Sequence, residues 1–177
     1  MKYEIRLSGT GGQGIITAGI ILSEAAMRAG MEVTMSQSYG PEARGGAAKA
    51  EVIIGDEPIY FPQVLLPHLL LVMSQQAYDS YGDELAPGGI MIIDSSTVEG
   101  EPHIAGRVIR LPMTRTAREK LRPVVANVVA LGAICGATNI IERRFMEEAV
   151  LARVPRGTEA LNAQAFQMGL QMGKAVT

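Results

Sequence analysis

Apolar and polar residues alternate from Tyr3 to Ser8, a period of two that predicts a strand. A glycine cluster follows, and an apolar stretch from Ile15 to Ala29 then stops at Gly30, which predicts a tight turn and a helix with a glycine C-cap. Short apolar runs at Glu32–Ser36, Ala48–Ile54, Leu69–Ser74, Gly89–Asp94 and Val108–Leu111 end in turn or polar residues and predict further strands, several of them buried on both faces. Gln75–Leu85 has the length of a helix and ends at the turn Ala86-Pro87-Gly88-Gly89. Strands alternating with helices predict an α/β, Rossmann-like fold, a mostly parallel sheet flanked by helices through right-handed crossovers.

Beyond Arg115 the pattern changes. Thr116–Leu121, Val124–Cys135, Glu142–Val154 and Glu159–Met172 read as helices, so the C-terminal third is expected to be helical. Val124–Cys135 is apolar nearly all round and rich in small residues, which predicts a central helix packed closely on several sides, with Asn127 as its polar exception. In the last helix Leu161, Ala165, Met168 and Met172 recur at helical spacing and predict one buried face. No repeat, low-complexity tract or linker interrupts the chain, so 1–177 is expected to form a single domain.

Composition narrows the function classes. Hydrophobic residues make up 47% of the chain and charged residues 19%, which excludes a disordered chain. A net charge of -2 with no long basic run offers nucleic acid no footprint. Nothing approaches the roughly 18 unbroken apolar residues of a membrane span, and the charged start Met1-Lys2-Tyr3-Glu4 is unlike a signal peptide; a cytoplasmic location is expected, with no membrane partner. Cys135, the only cysteine, excludes an intramolecular disulfide and cannot by itself hold an iron–sulfur cluster, which needs about four such ligands. His68 and His103 stand alone, with no metal-ligand spacing, so no metal is expected here.

The residues with chemical potential lie in two loops. Gly9-Thr10-Gly11-Gly12-Gln13-Gly14 satisfies G-x-G-x-x-G between a strand and a helix, where free amides and the helix dipole favour an anion. Three readings stay open for it: a phosphate-bearing ligand, a purely structural turn, and a nicotinamide site. The last also wants an acid at the end of the second strand, and that strand runs into Gln37-Ser38-Tyr39 without one. Ser38-Tyr39-Gly40-Pro41-Glu42-Ala43-Arg44-Gly45-Gly46 is a turn-rich loop carrying Tyr39, Glu42 and Arg44, read either as a ligand or partner surface or as a solvated loop with a local Glu42–Arg44 pair. Arg107, Arg110, Arg115, Arg118, Lys120 and Arg122 form a basic stretch, read as a solvated face or a site for an anionic ligand or acidic partner. A Walker loop and a serine nucleophile elbow are excluded, since neither Gly-Lys-Ser/Thr nor G-x-S-x-G occurs.

Taken in order, GTGGQGI, SYGPEARGG, Asp56-Glu57-Pro58-Ile59, the Ala86-to-Gly89 turn and Asn127-Val128-Val129-Ala130-Leu131-Gly132-Ala133 resemble the gamma subunit family of 2-oxoacid:ferredoxin oxidoreductases across essentially the whole chain. Phe61-Pro62 is a small departure and touches neither loop. The resemblance implies a part in oxidative decarboxylation, in which a 2-oxoacid and coenzyme A give an acyl-CoA and carbon dioxide while electrons pass to ferredoxin. It implies a non-autonomous subunit, inactive alone, with no catalytic residue of its own and no cofactor held by this chain alone. Thiamine diphosphate, magnesium and iron–sulfur clusters would belong to alpha and beta catalytic subunits and a ferredoxin-like delta subunit, and a homodimer is the expected alternative state of the isolated chain. Gly82-Asp83-Glu84 does not make the Gly-Asp-Gly of a thiamine site. In some relatives the equivalent segment is fused to a larger catalytic chain and lies near bound coenzyme A. The resemblance therefore makes coenzyme A the ligand to test at Gly9, Gly11, Gly12, Gln13 and Gly14, and makes Tyr39, Glu42, Arg44, Gly45 and Asn127 candidate partner or ligand contacts. Two rivals stand beside it: a free-standing dinucleotide-binding oxidoreductase and a scaffold subunit without a ligand.

Overall fold

A computed structural model of the chain describes residues 1–38 and 47–177. Six strands form one sheet in the order β2-β3-β1-β4-β5-β6, where β1 is Lys2–Thr10, β2 Glu32–Ser38, β3 Ala47–Gly55, β4 Leu69–Val72, β5 Ile90–Asp94 and β6 Arg107–Leu111. The β1–β4, β4–β5 and β5–β6 pairings are parallel, as the alternation of strands and helices predicts. β3 is antiparallel to both β1 and β2, so the sheet is mixed. The physical reason is a connection: only eight residues separate β2 from β3, fewer than the roughly dozen a parallel crossover needs, and a short connection returns the chain antiparallel.

Among the described residues six α-helices flank the sheet: α1 Ile15–Arg28, α2 Gln75–Tyr81, α3 Met113–Lys120, α4 Ala126–Ala137, α5 Arg143–Arg153 and α6 Glu159–Lys174. The helix expected over 75–85 is short. Ser74 caps its start by accepting from the Ala77 amide at 3.1 Å, and it ends at Gly82, whose amide bonds the Tyr78 carbonyl. The helix expected from Thr116 begins earlier, at Met113, because the buried Asp94 at the end of β5 accepts from the Thr114 amide at 2.9 Å and so caps it from another element.

Alternation sorts the two faces of the sheet. Ile5, Leu7, Val52, Ile54, Leu69, Leu71, Ile92 and Ile109 point to one core with α1, α4, α5 and α6, while Leu70, Val72, Met91 and Ile93 point to a smaller one beneath α2. On that second face β1 carries Arg6, which is 2% exposed. Its guanidinium donates to Glu51 at 2.8 Å, to Glu84, and to the Val64 carbonyl at 3.1 Å, and lies 5.4 Å from the Tyr81 ring centre, so a buried charge is fully partnered.

α4 is central, as its all-round apolarity predicts, and it meets α6 along a glycine seam. A methyl group built on Gly132, Gly136, Gly169 or Gly173 would collide with the backbone of the facing helix. The buried face of α6 therefore runs through Asn162, Phe166, Gly169 and Gly173 together with Ala165 and Leu170. Leu161, Met168 and Met172, expected on the buried face, are half-buried at its flanks. Hydrophobic spacing alone misses a face whose closest contacts have no side chain.

Candidate functional site

β1 ends at Thr10, and four residues later α1 begins. The turn is closed by the Gln13 amide donating to the Thr10 carbonyl at 3.3 Å. Gly12 and Gly14 have φ of 89° and 73°, the region glycine enters without steric cost. Gly9 and Gly14 also need to be small: a Cβ on Gly9 would lie 2.5 Å from Gln13 Oε1, and one on Gly14 2.5 Å from Asn127 Nδ2. Gly11 differs from all of them, because it has an ordinary φ, open space where a Cβ would go, and an exposed backbone.

Two side-chain amides hold the loop at its ends. Gln13 Oε1 accepts from the Thr10 amide at 2.7 Å, and its Nε2 donates to the Met73 carbonyl at 2.9 Å. That second bond crosses from the end of β1 to the end of β4, where one chain turns onto the α1 face of the sheet and the other onto the α2 face. Such a switch point is the crevice in which open α/β sheets bind ligands. Thr97, just after β5, donates to the same Met73 carbonyl at 2.9 Å, so the tips of three neighbouring strands are tied together. Asn127, in the first turn of α4, donates from Nδ2 to the Gly14 carbonyl at 3.2 Å and accepts the Val128 amide on Oδ1. Its side chain thus anchors the loop from beneath.

The opening turn of α1 has no acidic residue and Gly14 offers no side-chain cap, so no cap side chain meets the amides of Ile15, Ile16 and Thr17, which lie at the positive end of the helix dipole. Two hollows flank this point. One, of about 300 Å³, lies toward β3 over Thr10, Gly11, Gly12, Thr17 and Ala48. The other, of about 240 Å³, lies between Gly12, Asn127, Arg153, Thr158 and Asn162, with Arg153 ion-paired to Glu24 at its rim.

Tyr39, Glu42, Arg44 and Gly45 lie outside the described residues. Their loop is rooted beside the glycine loop, since Ala47, the first residue after it, pairs with Thr10. The basic stretch does not form one face. Arg107 donates to the Val176 carbonyl and Arg110 to that of Gly100, both from β6, whereas Arg115, Arg118 and Lys120 are exposed on α3. His68 accepts the Glu4 amide at 2.9 Å and sits against the Tyr3 ring, an ordinary structural role. Among the described residues no group of three metal-ligating side chains comes together. Cys135 is buried, and desolvation, reinforced by the nearby Glu147 charge, pushes its thiol upward. The strand order also speaks against a nicotinamide site: β3 separates β2 from β1, which puts the end of β2 about 10 Å from the glycine loop's strand. Thr97 and Arg153 escaped sequence reasoning because each reaches the site from a distant segment without a motif of its own.

The sequence matches the pyruvate ferredoxin/flavodoxin oxidoreductase family over residues 4–172. It is 49% identical to the 2-oxoglutarate synthase subunit KorC of Methanocaldococcus jannaschii, with 98% of this chain and 95% of that protein covered. The structure is similar to the crystal structure of a keto/oxoacid ferredoxin oxidoreductase gamma subunit from Geobacter sulfurreducens, with a TM-score of 0.89, 43% identity, and 98% and 99% of the two chains covered. It is also similar to the 2-oxoglutarate:ferredoxin oxidoreductase of Magnetococcus marinus with 2-oxoglutarate, coenzyme A and succinyl-CoA bound, with a TM-score of 0.87 and 29% identity. That match takes in 99% of this chain and 32% of the other.

Proposed function

The chain belongs to the pyruvate ferredoxin/flavodoxin oxidoreductase family, and on that premise we propose that it is the single-domain gamma subunit of a cytoplasmic 2-oxoglutarate:ferredoxin oxidoreductase whose glycine loop receives the anionic end of coenzyme A. The family supports the enzyme class, and the 2-oxoglutarate synthase subunit at 49% identity supports the oxoacid. In this reading alpha and beta catalytic subunits, with a ferredoxin-like delta subunit, carry thiamine diphosphate, magnesium and the clusters. Coenzyme A supplies the thiol that takes the acyl group. The residues of this chain bind and orient rather than react: the uncapped amides of Ile15 to Thr17 face the anion, Gly11 and Gly12 let it approach the backbone, and Gln13 and Asn127 keep the loop in place. Tyr39, Glu42, Arg44 and Gly45, rooted beside this loop, contact the catalytic chain or the ligand.

The observation that carries the reading is Gly11. Neither its φ nor its packing requires glycine, so a purely structural turn leaves that residue unexplained, whereas close approach of a ligand explains it. The test is Gly11→Asp in the fully assembled enzyme. We expect the Michaelis constant for coenzyme A to rise about tenfold or more with assembly intact, because a carboxylate would stand beside amides that attract an anion. An unchanged constant would assign the chain the scaffold role. Turnover of pyruvate in preference to 2-oxoglutarate would overturn the choice of oxoacid alone.

A further inference from the structure

The loop from Asp56 to His68 joins β3 to β4 at the end of the sheet opposite the glycine loop, since Lys2 pairs with Gly55 and Ile5 with Leu69. It is fixed from beneath: Arg6 holds the Val64 carbonyl, and the His68 amide donates to the Glu4 carbonyl at 2.7 Å. On this anchored base it turns large apolar side chains outward, with Tyr60 91%, Phe61 54%, Leu65 62% and Leu66 47% exposed. A hollow of about 300 Å³ beside Tyr60 and Phe61 is lined by Met1 and Pro58 together with the charged Lys2, Asp56 and Glu57. Nothing in the fold of this chain requires so much apolar surface in water, and aromatic groups on a rigid support are what protein interfaces bury.

We infer that this loop is the docking surface for the partner chain that corresponds to the fused remainder of the longer relative. The position of both chain ends identifies that occupant. The Magnetococcus marinus chain contains the equivalent of 99% of this one and is about three times its length, and any segment added at an end of the shared part joins it where the corresponding terminus of this chain lies. Both ends of this chain lie at the apolar loop's end of the sheet. The amino terminus pairs with Asp56 and helps to line the hollow, and the Val176 carbonyl is held by Arg107 at the start of β6. A covalently continuous neighbour would leave from this end whichever terminus carried it, and where the neighbour is a separate subunit the exposed apolar loop supplies the attachment in place of the peptide bond. The apolar loop and the glycine loop are at opposite ends of the sheet, so variants of the apolar loop can be scored for assembly apart from ligand binding.

The test uses the coexpressed complex. Tyr60→Ser/Phe61→Ser should weaken copurification and affinity for the partner subunits about tenfold or more. Tyr60→Arg, at an almost fully exposed position that cannot unfold the chain, should reproduce much of that loss. Met27→Ser, which removes an apolar group 63% exposed on α1, should leave assembly as in the wild type. Wild-type assembly by both loop variants would overturn the inference. So would loss of self-association of the isolated chain with the complex intact, because a second copy would then be the occupant. A rise in the coenzyme A Michaelis constant without weaker assembly would likewise overturn it, by tying the loop to the ligand site.

Discussion

Replacing Gly169 by alanine sets two physical effects against each other, and the structure decides which wins. In an isolated helix the change is favourable by about 1 kcal/mol, since alanine is the better helix former. In α6 the added methyl carbon would lie 2.8 Å from the carbonyl carbon of Val129 and closer still to its oxygen, with the Ala133 amide nitrogen 2.9 Å away. Every one of these neighbours is backbone, so no side chain can rotate to make room. The helices must part, and parting them loosens the contacts at Gly132, Gly136 and Gly173 as well, because the four share one seam. Overpacking of this kind costs about 3 kcal/mol or somewhat more, which leaves a net destabilisation of about 2 kcal/mol. For a chain of this size that corresponds to a fall in Tm of about 4 to 8 °C. Reversible denaturant unfolding of the isolated subunit measures it, with Ala163→Gly on the exposed face of α6 as the propensity control, expected to cost about 1 kcal/mol. A Gly169→Ala protein more stable than the wild type would refute the reasoning, since propensity alone predicts that sign.

Gln13→Ala removes the bridge between the ends of β1 and β4; it should cost about 1 to 3 kcal/mol in denaturant unfolding and raise the coenzyme A Michaelis constant in the assembled enzyme, and a wild-type value for both would remove Gln13 from the site. Arg6→Met leaves Glu51 buried with only Lys49 beside it and should cost about 3 to 5 kcal/mol, while Glu84→Gln, at a side chain 44% exposed, should cost about 1 kcal/mol or less; equal losses would contradict the assignment of the buried pair. Cys135 should resist a thiol reagent at neutral pH and react fully once the chain is unfolded. Because its folded pKa is raised, any stability this group contributes is complete below the ordinary thiol value of about 8.5 and declines as pH rises through the folded one, which a denaturation series in pH would follow.

The strands were legible because five of them carry short apolar runs with clear turn signals, and the glycine loop was legible because its spacing survives in one contiguous segment. What escaped was non-local. The antiparallel placement of β3 depends on a connection too short for a parallel crossover, and the pairing of β1 with β3 rather than with β2 has no local sign. Gln13 belongs to the glycine motif by sequence, but the bonds of its amide to main chain at both ends, one of them at Met73, sixty residues away, have no sign in that motif. The glycine seam was legible in half: the small residues of α4 stand out in its sequence, whereas Gly169 and Gly173 are hidden behind Leu161, Met168 and Met172, which mark the flanks of the helix.

The placement of β3 also bears on the order in which the chain can fold as it is made. Every strand that β3 touches precedes it in sequence, so the first 55 residues already contain β1, β2, β3 and the helix packed on them. This amino-terminal unit can close through comparatively local pairings, with one edge of β1 left bare. Each later strand then finds its neighbour already in place, β4 on β1, β5 on β4 and β6 on β5, so the parallel half grows outward in the order of synthesis. Pulsed hydrogen exchange during refolding should find the amides of β1 and β3 protected before those of β5 and β6. Simultaneous protection of all four would mean that the halves condense together and that strand order leaves no trace in the kinetics.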